Sequence, residues 1–180
     1  MCESGYEEVR SKIADWLNQK YKTSYGINNI IMTNGVAGGL NMVLRALLNP
    51  GDEVLIFCPY YPAYIGFAEN WNGKIIEVDP GEDFQPDFED LEGKITKRTK
   101  VVIVNSPHNP TGVIYTKETA RKLSEILECK QKEYGHAICL LSDEPYRDLV
   151  YIEEELPWWP DFYQNTIVSY SFSKSRLGNL

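Results

Sequence analysis

Apolar and polar positions along the chain alternate between two rhythms. Val9, Ile13, Trp16 and Leu17 recur at helical spacing, which predicts a helix over 6–20 with these residues on one face. Apolar positions then predict a short strand at 29–33, broken by Asn34-Gly35, and a helix over 36–48 closed by Asn49-Pro50-Gly51. A strand at 53–58 leads to a helix that Pro62 opens and Asn72-Gly73 ends. Further strands are expected at 74–78, 100–105, 137–142 and 166–171. Thr116 is positioned to cap a long amphipathic helix reaching 134, with Ala120, Leu123, Ile126 and Leu127 inward. The acidic, proline-bearing stretch 79–93 reads as a surface connection with a short helix near 88–92, and 150–164 as an irregular loop with one helical turn.

Several of these strands are continuous apolar runs, the pattern of strands covered on both faces. Strands alternating with helices then imply an α/β fold, a three-layer α/β/α sandwich around a mostly parallel sheet. No repeat, low-complexity segment or linker divides the 180 residues.

Composition narrows the function. A net charge of −8 disfavours nucleic acid, which demands a basic face. No apolar stretch nears the length of a membrane span, and the start carries no signal-peptide core, so no membrane partner is expected. Cys2, Cys58, Cys129 and Cys139 lack metal-ligand spacing, so no metal is expected and a reduced, cytoplasmic setting is the simplest expectation.

The polar residues of chemical interest cluster at strand exits, where open parallel sheets bind ligands. Asn34 and Gly35 follow the first predicted strand, Tyr60 and Tyr61 the second, Asn109 the fourth, Asp143 the fifth and Lys174 the sixth. A lysine amine at such a place can form a Schiff base with a carbonyl compound. An ionised Asp143 can face a pyridine nitrogen, and Tyr146, three residues on, can reach the same pocket. Asn109 offers a hydrogen bond to a ring oxygen, and Tyr61 an aromatic face. Gly35-Val36-Ala37-Gly38-Gly39 opens a helix whose backbone N–H groups suit a phosphate, with Ser171 adding a hydroxyl. It matches neither dinucleotide nor nucleoside triphosphate loops. Taken singly, each residue also has a structural explanation: a solvated lysine, a turn-capping aspartate, packed tyrosines, a proline turn at 109–112, or small residues for helix packing. His108 has no acid partner at a readable spacing and reads as loop structure.

Together, Thr33-Asn34-Gly35, Pro59-Tyr60-Tyr61-Pro62, Asn105-Ser106-Pro107-His108-Asn109-Pro110-Thr111-Gly112, Ser142-Asp143-Glu144-Pro145-Tyr146 and Ser171-Phe172-Ser173-Lys174 resemble the large domain of fold-type I pyridoxal phosphate enzymes, in the class I/II aminotransferase family. The resemblance covers essentially the whole chain. It implies a transaminase of amino acid metabolism that moves an amino group from an amino acid to a 2-oxo acid, with pyridoxal 5'-phosphate bound as a Schiff base on Lys174. It further implies that Lys174 shuttles the substrate's α-proton and that Asp143 pairs with the pyridinium nitrogen. Tyr146 and Asn109 would bind the ring oxygen, Tyr61 would stack on the ring, and the amides of Val36 and Ala37 at the Gly35 loop, with Ser171, would hold the phosphate. Where the family often has a hydroxyl residue in that loop, this chain has Ala37.

The resemblance also implies that residues 1–180 are a partial cofactor-binding domain, without the family's N-terminal segment and its C-terminal small domain, and inactive alone. Arg176 lies too near Lys174 to be the family's phosphate-binding arginine. An exposed sheet edge or gap is expected where a further strand belongs, and a homodimer for the full-length protein. Carbon–sulfur lyases and cyclopropane-forming synthases share every motif quoted. A non-catalytic, ligand-sensing aminotransferase-like domain is the remaining alternative, although no DNA-binding segment accompanies it here.

Overall fold

The computed structural model describes residues 4–151 and 155–174. Five strands form one parallel sheet: β1 (Glu53–Phe57), β2 (Lys74–Val78), β3 (Thr99–Asn105), β4 (Cys139–Asp143) and β5 (Thr166–Ser169), in the order β2-β1-β3-β4-β5. Five α-helices accompany them: α1 (Glu7–Tyr21), α2 (Gly35–Leu47), α3 (Ala63–Glu69), α4 (Phe88–Lys94) and α5 (Lys117–Tyr134). This is the expected α/β architecture.

The strand runs are continuous because alternate residues enter two different cores. Leu55, Phe57, Val102, Val104 and Leu140 pack with Leu91, Tyr115, Leu123, Leu127, Trp159 and Tyr163 beneath α4 and α5. Val54, Ile56, Val101, Ile103 and Leu141 pack with Leu40 and Leu44 of α2 and with Tyr64 and Ala68 of α3. Adjacent residues on a strand point to opposite faces, so a sheet buried on both faces needs apolar residues at every position. Capping places the helices: the Thr116 hydroxyl accepts the Thr119 N–H at 3.1 Å, and Asp87 accepts the N–H groups of Glu89 and Asp90 at 3.0 Å.

One expectation is corrected. Residues 29–33 are not a strand of the sheet: Ile27–Asn29 is a 3-10 turn, and Ile31 and Met32 beyond it are exposed. Strand identity requires a ladder partner, and β5 is the sheet edge on that side. A cavity of about 400 Å³ has Ile30, Ile31 and Met32 on its wall together with Val168 and Tyr170, so this segment does not join β5. Ile167 of β5 is 39% accessible. The buried residues of α1 are Arg10 and Ala14, while Ile13, Trp16 and Leu17, on one face as expected, line the same cavity. Arg176 lies outside the described residues. None of the described helices is long and apolar enough to cross a membrane, and the described residues contain no cluster of metal-ligating side chains.

Candidate functional site

The ends of three strands form a lateral row. Asn105 of β3 pairs in register with Asp143 of β4, and Asp143 with Ser169 of β5. At roughly 4.8 Å per strand, the row spans about 10 Å along the carboxyl edge of the sheet. Asn105 ties it together. Its Nδ2 donates to the Asp143 carbonyl at 2.8 Å, and its Oδ1 accepts the Asn109 N–H at 2.6 Å. Asn109 is therefore held one side chain away from Asp143. The loop carrying it turns through Gly112, whose φ of +74° favours glycine, and closes with a Gly112 N–H bond to the His108 carbonyl at 2.7 Å. His108 is buried with Nδ1 2.8 Å from the Thr111 hydroxyl, and burial lowers its pKa, in keeping with loop structure.

Asp143 is the last residue of β4, not the first of a turn, so its backbone is fixed by both neighbouring strands. The residue is 4% exposed. Oδ2 accepts the Tyr64 hydroxyl at 2.6 Å, and Oδ1 has no hydrogen-bond partner among the described residues. Burial pushes the carboxyl up to about 6; the Tyr64 bond pulls it down and the neighbouring Glu144 charge pushes it further up. Tyr64 itself is raised far above an ordinary phenol, first by burial and then by the Asp143 charge. The Tyr61 ring meets Tyr64 edge-on, with centroids 5.7 Å apart and planes at 89°, and keeps 41% of its surface exposed. Tyr146 is half-buried on the turn after β4, near enough that its charge would raise the Tyr64 phenol.

A second group of residues gathers around the start of α2. Gly35 takes φ +71°, and the Thr33 hydroxyl donates to its carbonyl at 2.8 Å. A side chain at Gly39 would come within 3.2 Å of the Thr33 hydroxyl and 3.6 Å of the Ser169 hydroxyl, so the first turn of α2 passes close to the end of β5. Gly35 and Ser171 line one cavity, and the Ser171 and Ser173 hydroxyls are 2.7 Å apart. Val36 packs on the apolar core, while Ala37 is exposed and its carbonyl accepts from Asn41. Lys174 is exposed and ends the 3-10 turn Phe172–Lys174, which two residues, Tyr170 and Ser171, separate from β5.

The structure thus joins Asp143 to Asn109 through Asn105, and Asp143 to Tyr61 through Tyr64. It brings Gly35 to Ser171. Among the described residues no hydrogen bond joins Lys174 to the Asp143 carboxylate, and the 400 Å³ cavity has Glu144 and Arg147 on its wall instead of Asp143. Sequence reading missed Asn105 and Tyr64. Asn105 was visible as a polar residue ending an apolar run; Tyr64 lies 79 residues from its partner, and no spacing marks it.

Beside the row lies a closed polar cluster. Glu144 Oε1 accepts the Ser142 hydroxyl at 2.7 Å and Oε2 meets Arg147 Nη1 at 2.5 Å. Arg147 donates from Nε to the Tyr21 hydroxyl at 2.8 Å and from Nη2 to the carbonyls of Leu156 and Pro157. Its guanidinium sits 5.2 and 5.4 Å from the Tyr21 and Trp158 rings, which are stacked on each other.

The chain is similar to known aminotransferases. The family model "Aminotransferase class I and II" matches residues 3–178. A probable aspartate aminotransferase of Methanocaldococcus jannaschii is 38% identical over 148 residues, 82% of this chain and 38% of that protein. The aspartate aminotransferase of Sulfolobus acidocaldarius is 36% identical, covering 97% of this chain and 45% of its own length. The crystal structure of an aminotransferase from Eubacterium rectale superposes with a TM-score of 0.93 at 41% identity, over 96% of this chain and 44% of that one. Thermotoga maritima aspartate aminotransferase gives 0.90 at 32% identity, over 99% of this chain and 48% of that one. The chain spans less than half the length of each of these relatives. With the family pattern matched almost from end to end and the fold superposing on solved members, the chain belongs to the class I and II aminotransferase family.

Proposed function

We propose that this chain forms the cofactor-gripping part of an aminotransferase that uses pyridoxal 5'-phosphate to move an amino group from an amino acid to a 2-oxo acid. The observation that carries the reading is Asp143 Oδ1, a buried carboxylate oxygen with no partner among the described residues, at the centre of the strand-exit row. Such an atom is costly to leave without a donor, and a protonated pyridine nitrogen satisfies it. The amide-rich start of α2 beside the Ser171 hydroxyl suits the phosphate, and the accessible Tyr61 ring suits the pyridine face. The residues present therefore fit the group.

Bound there, the cofactor supplies an aldehyde that condenses with amines and a protonated ring that withdraws electrons from bonds at the substrate's α-carbon. The chain's own residues do the rest. Asp143 keeps the ring nitrogen protonated by accepting its N–H at Oδ1. Tyr146 and Asn109 hydrogen-bond the ring oxygen, and Tyr61 stacks on the ring. The amides of Val36 and Ala37, with Ser171, hold the phosphate at the turn made by Gly35. Lys174 Nζ would attach the cofactor in the resting protein and, once substrate displaces it, would carry the proton from the substrate's α-carbon to the cofactor's aldehyde-derived carbon.

Several relatives are named aspartate aminotransferases, so aspartate with a 2-oxo acid acceptor is the first pair to assay. The protein from the complete reading frame should yield a 2-oxo acid from the donor and an equal amount of new amino acid from the acceptor. Release of ammonia, or of pyruvate with a thiol from a cysteine conjugate, without amino transfer would make it a lyase and overturn the reading.

A further inference from the structure

We propose that Tyr64 is a positioning residue for the cofactor ring: its hydroxyl pins one oxygen of Asp143 so that the other, Oδ1, is presented as an anion to the ring nitrogen. The inference rests on the cofactor reading above and deepens it.

A terminal carboxylate torsion is broad and nearly two-fold, so a fixed backbone alone does not decide where the two oxygens point. Tyr64 decides it with one bond of 2.6 Å to Oδ2. The phenol can do so because it is itself immobile. It sits in the first turn of α3, 2% exposed, in the core made with Leu40, Leu44, Val54 and Ile56. Asn105 of β3 bonds only the Asp143 backbone carbonyl, and Ser169 of β5 meets Asp143 through strand pairing. Glu144, on the following turn, adds negative charge and is paired with Arg147; Tyr146 lies on the same turn. Among the described residues, Tyr64 alone donates to the carboxylate. The same ring carries the edge contact to Tyr61, so one side chain braces both the partner of the ring nitrogen and the aromatic face.

The test uses the full-length protein with Tyr64→Phe, and a second version with 3-fluorotyrosine at position 64, which keeps the shape and donates more strongly. In cofactor-free protein, carbon-13 NMR of the Asp143 carboxyl, assigned with Asp143→Asn, reads the titration directly. Loss of the hydroxyl should raise the midpoint by about one pH unit above the parent value near 6, and fluorination should lower it. Loss of the hydroxyl should also weaken binding of added pyridoxal 5'-phosphate about tenfold at neutral pH, and shift the pH dependence of the bound cofactor's absorbance. An unchanged midpoint in both folded proteins would overturn the proposal. So would a shifted midpoint with unchanged cofactor affinity and absorbance. If the parent takes up no cofactor while the midpoint still moves, the cofactor reading itself fails and this proposal falls with it. A parent that binds cofactor without any Tyr64 effect sinks this proposal alone.

Discussion

Asp143 and Glu144 are neighbours in sequence, both buried, yet they belong to regions built on opposite rules. Around Glu144 both carboxylate oxygens have partners: Ser142 on one, Arg147 on the other, with the guanidinium anchored in turn by Tyr21 and two backbone carbonyls. Around Asp143 one oxygen is held by Tyr64 and the other has no partner among the described residues. A polar network satisfied from within the chain rigidifies a core. One left with a buried acceptor suits a group from outside it. The difference separates structure from function within two consecutive residues.

The division can be broken by mutation, because damage should split the same way. The largest effect is expected at Lys174. Lys174→Ala should cut amino transfer by about a thousandfold or more in a steady-state assay of the full-length protein, with the urea midpoint unchanged. Arg147→Ala should do the reverse. It leaves Glu144 buried without its cation, and urea unfolding should show a loss of about 3–5 kcal/mol. The double variant Glu144→Gln with Arg147→Met should recover much of that loss. If Arg147→Ala cost nothing, the Glu144 region would not be the brace described.

A smaller effect sharpens the Asp143 side. In cofactor-free protein burial pushes its carboxyl from the ordinary 3.8 up to about 6, so the folded state holds the proton more tightly. Its favourable contribution is therefore complete below about pH 4 and is lost as pH rises to about 6. The parent should lose about 3 kcal/mol more stability than Asp143→Asn across that window, followed by urea unfolding at each pH. Cofactor binding should remove much of the difference by pairing the anion. Smallest of all, Thr116→Ala at the start of α5 should cost about 1 kcal/mol and leave both regions otherwise unaltered.

How far the sequence revealed these regions depended on the range of the interaction. The inner strands β1, β3 and β4 were legible because burial on both faces leaves an apolar run, as in Val101–Val104, which enters two cores alternately. The expected strand at 29–33 failed because an apolar run does not say whether a ladder partner exists. The helical rhythm of Ile13, Trp16 and Leu17 was real, but it faces a cavity wall while Arg10 and Ala14 take the buried positions. In the candidate site, Asp143 was legible as a charge ending an apolar run. Tyr64 was not, since an aromatic residue in a short apolar helix looks like core and its function comes from a partner on another element.

The central claim, that these strand exits hold pyridoxal phosphate with Lys174 as its attachment point, is tested most directly by borohydride. Full-length protein loaded with the cofactor is reduced, digested and mapped by mass spectrometry. The expected result is the added cofactor mass on the peptide containing Lys174 and nowhere else. The mass on a different lysine, or none on a folded and loaded sample, would contradict the account.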